Sequence, residues 1–264
     1  MNTFNQMKTR LTELKFHPSV MALRQMRKSL IDIYPSLLLR LSRQKRQTLI
    51  DALEECSTVS ECIKFTQRHM GAGSCQIPWE IESTINLIAE TQPRVLCEIG
   101  TFDGGTSLLF NRFLPSLQFM LCIDLYVKNK AYLKLLNPPK RSLYFFDMPS
   151  YTDSAVSKVR KRLKGRMIDV LFIDGDHRYE GVKSDFVHYR SLVRDGGMIL
   201  LHDIKESGDG GRAWAGGVPK FWKELASIYP HQEFVNSPDQ HGFGIGVLTY
   251  SHKIELPAGF ETFL

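Results

Sequence analysis

The sequence predicts an α/β fold built on a mostly parallel sheet, and three observations predict it. Short apolar runs at 94–99, 119–123, 143–146, 170–173 and 198–201 have the length and composition of strands buried on both faces. Stretches of helical spacing stand beside several of these runs. Most of the runs end in acids or histidines: Asp124, Asp147, Asp174-Gly175-Asp176-His177 and His202-Asp203. In an open α/β sheet, ligands bind outside the carboxyl ends of the strands. Such ends therefore bring carboxylates and imidazoles to one crevice.

The elements follow in order. Residues 1–70 read as helices. Val20, Leu23, Met26, Leu30 and Ile33 recur every three or four positions, and Pro35 interrupts the pattern. Leu49, Leu53, Val59, Cys62, Ile63 and Phe65 predict two more short helices. Gly71-Ala72-Gly73-Ser74 is the best boundary, which divides the chain into a helical extension, 1–75, and a main domain, 76–264. Trp79–Ala89 predicts a helix with Ile81, Ile85 and Ile88 on one face. The run Arg94–Ile99 then enters a glycine turn, Gly100-Thr101-Phe102-Asp103-Gly104-Gly105, followed by a helix opening at Leu108-Leu109-Phe110. A helix starts near Tyr179, with Val182, Phe186 and Tyr189 facing the core. Pro219–Tyr229 predicts another, with the proline in its first turn. Two closing strands are predicted at Gln232–Asn236 and Gly244–Thr249.

Composition bounds the rest. At 264 residues and 43% hydrophobic, the chain can bury a full core. The formal net charge of +6 is mild but uneven. The first fifty residues hold ten lysines and arginines, from Lys8 to Arg46, against only Glu13 and Asp32. A solvated basic face explains this most simply. Peripheral contact with a membrane surface through these helices is the alternative, and nucleic acid is not expected as a partner. No run reaches the ~18–20 apolar residues of a spanning helix, and no leader pattern opens the chain. The five cysteines lack zinc spacing. They read as reduced residues of a cytoplasmic protein.

The glycine turn departs from a dinucleotide fingerprint, because Phe102 stands where the second glycine would admit a pyrophosphate. Glu98 lies inside the preceding strand. Asp124 ends the second strand, where an acid can accept hydrogen bonds from ribose hydroxyls.

EIGTFDGGTS, CIDLY, FIDGDHRYEGVKSDF and GGMILLHD, in that order, resemble the successive motifs of class I S-adenosylmethionine (SAM) dependent methyltransferases. They most resemble the branch with cephalosporin-hydroxylase-like proteins and macrolide sugar O-methyltransferases. The resemblance runs from about Gln76 to Leu248, including the late GFGIGVL at Gly242–Leu248. It implies a Rossmann-like, mostly parallel seven-stranded sheet with helices on both faces and an antiparallel last strand beside the fifth. It implies that Gly100, Thr101 and Gly104 cradle the methionine end of SAM, with Glu98 behind the loop. Asp124 would hold the ribose and Asp147 would lie beside the adenine. Asp174 would face the sulfonium and the acceptor. His177 would be the base; Asp176 or Asp203 could fix its tautomer, or a cation held by Asp174 and Asp203 could instead lower the hydroxyl pKa. The metal candidates are Asp174, His202 and Asp203, for magnesium or another divalent cation. Those relatives carry an acid at the position of His202, and an imidazole there suits zinc, iron or manganese better than magnesium, or no metal at all.

Asp176 has a plainer reading as the cap of the following helix. The glycine-rich stretch Ser207–Gly217 reads as a lid, with Arg212 and Trp214 its substrate-facing residues. The resemblance implies methyl transfer to a hydroxyl on a sugar or glycosylated small molecule, by a chain that can self-associate. The rivals are a nicotinamide-dependent oxidoreductase, which Phe102 disfavours, and a non-catalytic SAM-binding partner protein.

Overall fold

In a computed structural model of the chain, residues 39, 42–208 and 214–261 are described. The predicted helix around Val20–Ile33 and the lid residue Arg212 lie outside them. The helices are α1 (Arg43–Glu54), α2 (Val59–His69), α3 (Pro78–Glu90), α4 (Gly105–Phe113), α5 (Lys130–Leu135), α6 (Asp153–Leu163), α7 (Tyr179–Tyr189) and α8 (Val218–Ala226). The strands are β1 (Val95–Ile99), β2 (Phe119–Asp124), β3 (Ser142–Asp147), β4 (Ile168–Ile173), β5 (Val193–His202), β6 (His231–Phe234) and β7 (Ile245–Thr249). They form one seven-stranded sheet in the order β3-β2-β1-β4-β5-β7-β6. The first five strands are parallel. β7 runs antiparallel beside β5 and carries β6 at the edge.

The central strands are buried on both faces, as continuous apolar runs require: every residue of β1 is buried. Alternate residues serve two cores. Leu96, Met120, Val170, Phe172 and Leu200 face one layer, and Cys97, Leu121, Leu171, Ile199 and Leu201 face the other. The predicted helix faces hold. Ile81, Ile85 and Ile88 are buried, as are Val182, Phe186 and Tyr189.

Helices α1 and α2 share the first core. Leu49, Leu53, Cys62, Ile63 and Phe65 pack in one cluster with Leu108 and Phe110 of α4. A capping box opens α2. Thr58 accepts from the Glu61 amide, and the Glu61 carboxylate accepts from the Thr58 amide. The loop after α2 reaches over the glycine turn. Ala72 N donates to the Asp103 carboxylate at 2.8 Å, and Asn129 Nδ2 donates to the Met70 carbonyl at 2.9 Å. Residues 71–76 are thereby carried to the carboxyl end of the sheet.

Helices α5 and α6 were not read from the sequence. The first spans only six residues, and in the second Ala155, Val159 and Leu163 are the sole buried positions. A helix covering an edge strand needs only a narrow apolar stripe, and six cations between Lys158 and Arg166 mask it. All five cysteines are free, and Cys97 and Cys122 are buried in the sheet. Among the described residues no helix is long and apolar enough to cross a membrane.

Candidate active site

The parallel strands end together, and two cavities open there. The first, about 470 Å³, is lined by Gly100 and Phe102 after β1, Asp124 and Leu125 after β2, Pro149–Tyr151 after β3, and Asp174–His177 after β4. The second, about 450 Å³, is lined by Cys75, Asp174, His177, His202, Asp203, Trp214 and Phe243. They share Asp174 and His177, so a group bound in one meets a group bound in the other at those side chains.

The first cavity has backbone on one side. Gly100 adopts φ +91, and a Cβ there would stand 1.9 Å from the Asp174 carbonyl oxygen. Only glycine permits that approach. The Asp124 carboxylate is fixed by two amides, Phe102 N at 2.8 Å and Tyr126 N at 2.9 Å. Phe102 is itself left-handed and 48% exposed at the cavity edge, with Lys128 Nζ 4.1 Å from its ring centre. The ring that argued against a pyrophosphate thus forms part of the wall.

The remaining residues expected around this ligand lie behind it. Glu98 is fully buried and its carboxyl accepts from the Ser107 hydroxyl. Burial pushes its pKa up to about 8, against the pull of the Ser107 and Thr101 hydroxyls. Thr101 is buried, and Gly104 packs against Leu133 before α4. Asp147 ends β3 opposite Asp124, but its carboxylate takes the Val127 amide and the Lys130 ammonium. None of these four is among the residues lining the first cavity.

The shared wall is a compact set of ionisable groups. Asp174 Oδ1 lies 3.3 Å from both His177 Nε2 and His202 Nδ1, and Asp174 Oδ2 accepts from Gln76 Nε2 at 3.2 Å. His177 Nδ1 stands 2.6 Å from the Trp214 carbonyl oxygen and 3.3 Å from Asp203 Oδ2. A carbonyl can only accept, so Nδ1 carries a proton and Nε2 is the nitrogen that exchanges one. The Asp174 carboxylate beside Nε2 pushes the His177 pKa up to about 9, against the effect of burial. Burial would lower His202, but Asp174 outweighs it and the net direction is upward. Burial would raise Asp174, but the two imidazoles hold it well below the carboxylate range. Burial raises Asp203.

Asp203 has φ +62, uncommon for a residue with a side chain, and Phe243 N donates to its Oδ1 at 3.1 Å. Asp174, His177 and Asp203 each bring a ligand atom within 4.8 Å of the others, a candidate cation site. The imidazole of that triad is His177, where the sequence suggested His202. His202 is the last residue of β5 and only 5% exposed; it lines the second cavity, and its Nδ1 stands 3.3 Å from Asp174 and 3.6 Å from Asp203. Mixed oxygen and imidazole donors suit zinc, iron or manganese more than magnesium. Asp176 also lines the first cavity, and its carboxylate accepts from the Arg178 amide and guanidinium at the start of α7.

Sequence reasoning gave no role to Gln76, Cys75, Tyr151 or Phe243. Phe243 carried a signal, since it sits in the GFGIGVL stretch that matched the family pattern. Gln76 and Cys75 carried none, because only the fold of the 71–76 loop brings them to the site.

Residues 97–204 match a family described as "Methyltransferase domain". An uncharacterised protein of Acanthamoeba polyphaga mimivirus is 30% identical over 148 residues, covering 54% of this chain and 66% of the relative. An uncharacterised protein of Sinorhizobium fredii is 35% identical over 78 residues, 30% of this chain and 8% of the relative. The chain spans less than two thirds of either relative's length. The fold is that of an O-methyltransferase from Bacillus cereus solved with S-adenosylhomocysteine (TM-score 0.55, 17% identity), over 78% of this chain and 96% of that one. It is also that of a putative O-methyltransferase from Klebsiella pneumoniae (TM-score 0.52, 15% identity), over 86% of this chain and 99% of that one.

Proposed function

We propose that this chain, a class I SAM-dependent methyltransferase by fold and domain family, transfers a methyl group from SAM to an acceptor hydroxyl. One observation carries the reading. Two cavities meet at Asp174 and His177, so a donor in the first and an acceptor in the second would face each other across a base.

SAM supplies a methyl group already activated by a positive sulfur. The first cavity fits such a ligand, with glycine backbone at Gly100, a carboxylate at Asp124 for ribose hydroxyls, and Phe102 and Tyr151 as apolar walls. Glu98 and Thr101 support the Gly100 turn from behind, and Gly104 starts α4 beside it. Asp147 braces the Val127 amide outside the cavity lining. Aligning two reactants in adjoining cavities is worth up to ~7–11 kcal/mol. A hydroxyl must lose its proton as it attacks, and Nε2 of His177 accepts it when the ring is neutral, so turnover should rise with pH toward about 9. The Trp214 carbonyl fixes the required tautomer, and Asp174 and Asp203 stabilise the imidazolium that results. In place of a base, Asp174, His177 and Asp203 would hold a divalent cation, which would lower the hydroxyl pKa.

The finer reading, a hydroxyl on a sugar or glycosylated small molecule, is supported by the resemblance of the motifs.

His177→Ala tests the reading. Turnover of SAM should fall by ~10²–10⁴ while SAM affinity holds, the usual contribution of a positioned base. Unchanged turnover would remove His177 from the reaction, and a methyl group found on nitrogen would overturn transfer to oxygen.

A further inference from the structure

We propose that the open edge of β3 is a docking site for an extended acidic segment of another protein, which joins the sheet as a further strand. β3 is the outermost strand, and among the described residues β2 is its only strand partner. Ser142 N donates to the Gln118 carbonyl and Met148 N to the Asp124 carbonyl, both toward β2. Successive residues of a strand direct their amides to opposite sides. The amides of Leu143 and Phe145 therefore face the open edge, where an added strand would meet them.

The side chains of this edge are those of an interior strand. Leu143–Phe146 is an unbroken apolar run, the pattern of a strand buried on both faces, yet none of it is buried. In β2 beside it, Met120 to Ile123 are all buried. Leu143 and Phe145 reach one core and Tyr144 and Phe146 the other, each only half covered. Edge strands are ordinarily blunted by polar residues or covered. Four consecutive half-open apolar residues are surface that a further strand would cover, on both faces of the sheet.

Charge identifies the partner. Lys134 of α5 stands 5.8 Å from the Phe145 ring centre, and Arg162 of α6 stands 4.4 Å from that of Tyr144. A cavity of about 490 Å³ opens between the end of β3 and α6. Phe145, Phe146 and Met148 line its strand side, and Lys158, Lys161, Arg162 and Lys164, all exposed, line its helix side. The one carboxylate among its described lining residues, Asp147, already takes the Lys130 ammonium. Cations along an edge keep copies of a chain from pairing, because a second copy brings the same row of positive charge. They favour a segment that carries carboxylates. The backbone of the edge chooses among polyanions: an extended polypeptide matches its donors and acceptors residue by residue, which a phosphodiester chain or a lipid surface does not.

Amide hydrogen exchange of the full chain, resolved by NMR, tests this with the end-blocked peptide Glu-Val-Glu-Ile-Glu-Val-Glu as probe. The same peptide with lysine for glutamate is the control, and an oligothymidylate and phosphatidylserine vesicles are the rival polyanions. The acidic peptide should bind at submillimolar concentration and, at saturation, slow exchange at Leu143 and Phe145 at least tenfold. Its affinity should fall about tenfold between roughly 0.05 and 0.5 M salt. The lysine peptide should leave both amides unchanged. Lys158→Glu combined with Lys161→Glu should weaken the acidic peptide at least tenfold while the thermal melt and SAM affinity hold. The milder pair Lys158→Gln and Lys161→Gln should weaken it less, and serves in place of the first should that one not fold. Absence of binding at millimolar peptide, equal binding of the lysine peptide, or protection confined to residues away from β3 would overturn the proposal. Binding of the oligothymidylate or the vesicles, but not of the acidic peptide, would overturn it as well and give the cations to a phosphate-bearing partner.

Discussion

Asp174→Asn should bring the titration of His177 down from about 9 toward 6.5, the ordinary imidazole value. The largest cause of the upward displacement is the bond from Nε2 to Asp174, and asparagine removes its charge while keeping its shape. At neutral pH the wild-type ring is almost wholly imidazolium, since about 1% is neutral two pH units below its pKa. The variant ring would be mostly neutral there. The sign for stability follows. A raised imidazole pKa favours folding below about 6.5, and that contribution is lost as pH rises through about 9. The full displacement would correspond to about 3 kcal/mol at ~1.36 kcal/mol per pH unit, and partial exposure of the ring reduces it to roughly 1–2 kcal/mol. The assay is a carbon-detected NMR titration of the histidine rings, with His177→Gln to assign the signal. A wild-type midpoint near 6.5, or one that Asp174→Asn leaves in place, would refute the pairing of His177 with Asp174.

Gly100→Ala should destabilise the chain by ~2–5 kcal/mol, from a left-handed backbone and a collision with the Asp174 carbonyl. A thermal melt within about 2 °C of wild type would contradict the close approach of the β1 and β4 ends. Glu98, with its pKa pushed up to about 8, takes a proton on folding, so stability should decline as pH rises from about 4.5 through 8. Glu98→Gln should flatten that decline in urea unfolding, and an unaltered slope would show that another group causes it. Manganese or zinc affinity measured by calorimetry should be lost in Asp203→Asn and kept in His202→Ala. The reverse pattern would return the cation to His202.

The sheet was legible because burial on both faces leaves short, mostly apolar runs, and β1, β2 and β4 are such runs, interrupted only by Glu98 and Asp169 before their ends. Their ends were legible too: Asp124, Asp174 and His177 reach the cavities because strand ends meet there. Helices α5 and α6 were missed, since one has too few residues to show a period and the other hides three apolar positions among cations. The second cavity was only partly legible. Trp214 was marked by its glycine-rich stretch and Phe243 lay in a recognised motif. Cys75 and Gln76 arrive by a loop whose path depends on Asp103 and Asn129, distant in sequence. His202 and His177 looked equivalent as strand-end histidines. Both rings stand near both carboxylates, but only the turn after β4, pinned by Trp214 and Gly217, sets His177 in the wall that the two cavities share.

The most direct test is a crystal structure of the full chain with S-adenosylhomocysteine. The ribose hydroxyls should lie within hydrogen-bond distance of the Asp124 carboxylate, with the sulfur turned toward Asp174 and His177 and the second cavity still open beyond it. A nucleoside bound elsewhere, or one whose sulfur points away from His177, would contradict the placement of donor and acceptor on either side of that ring.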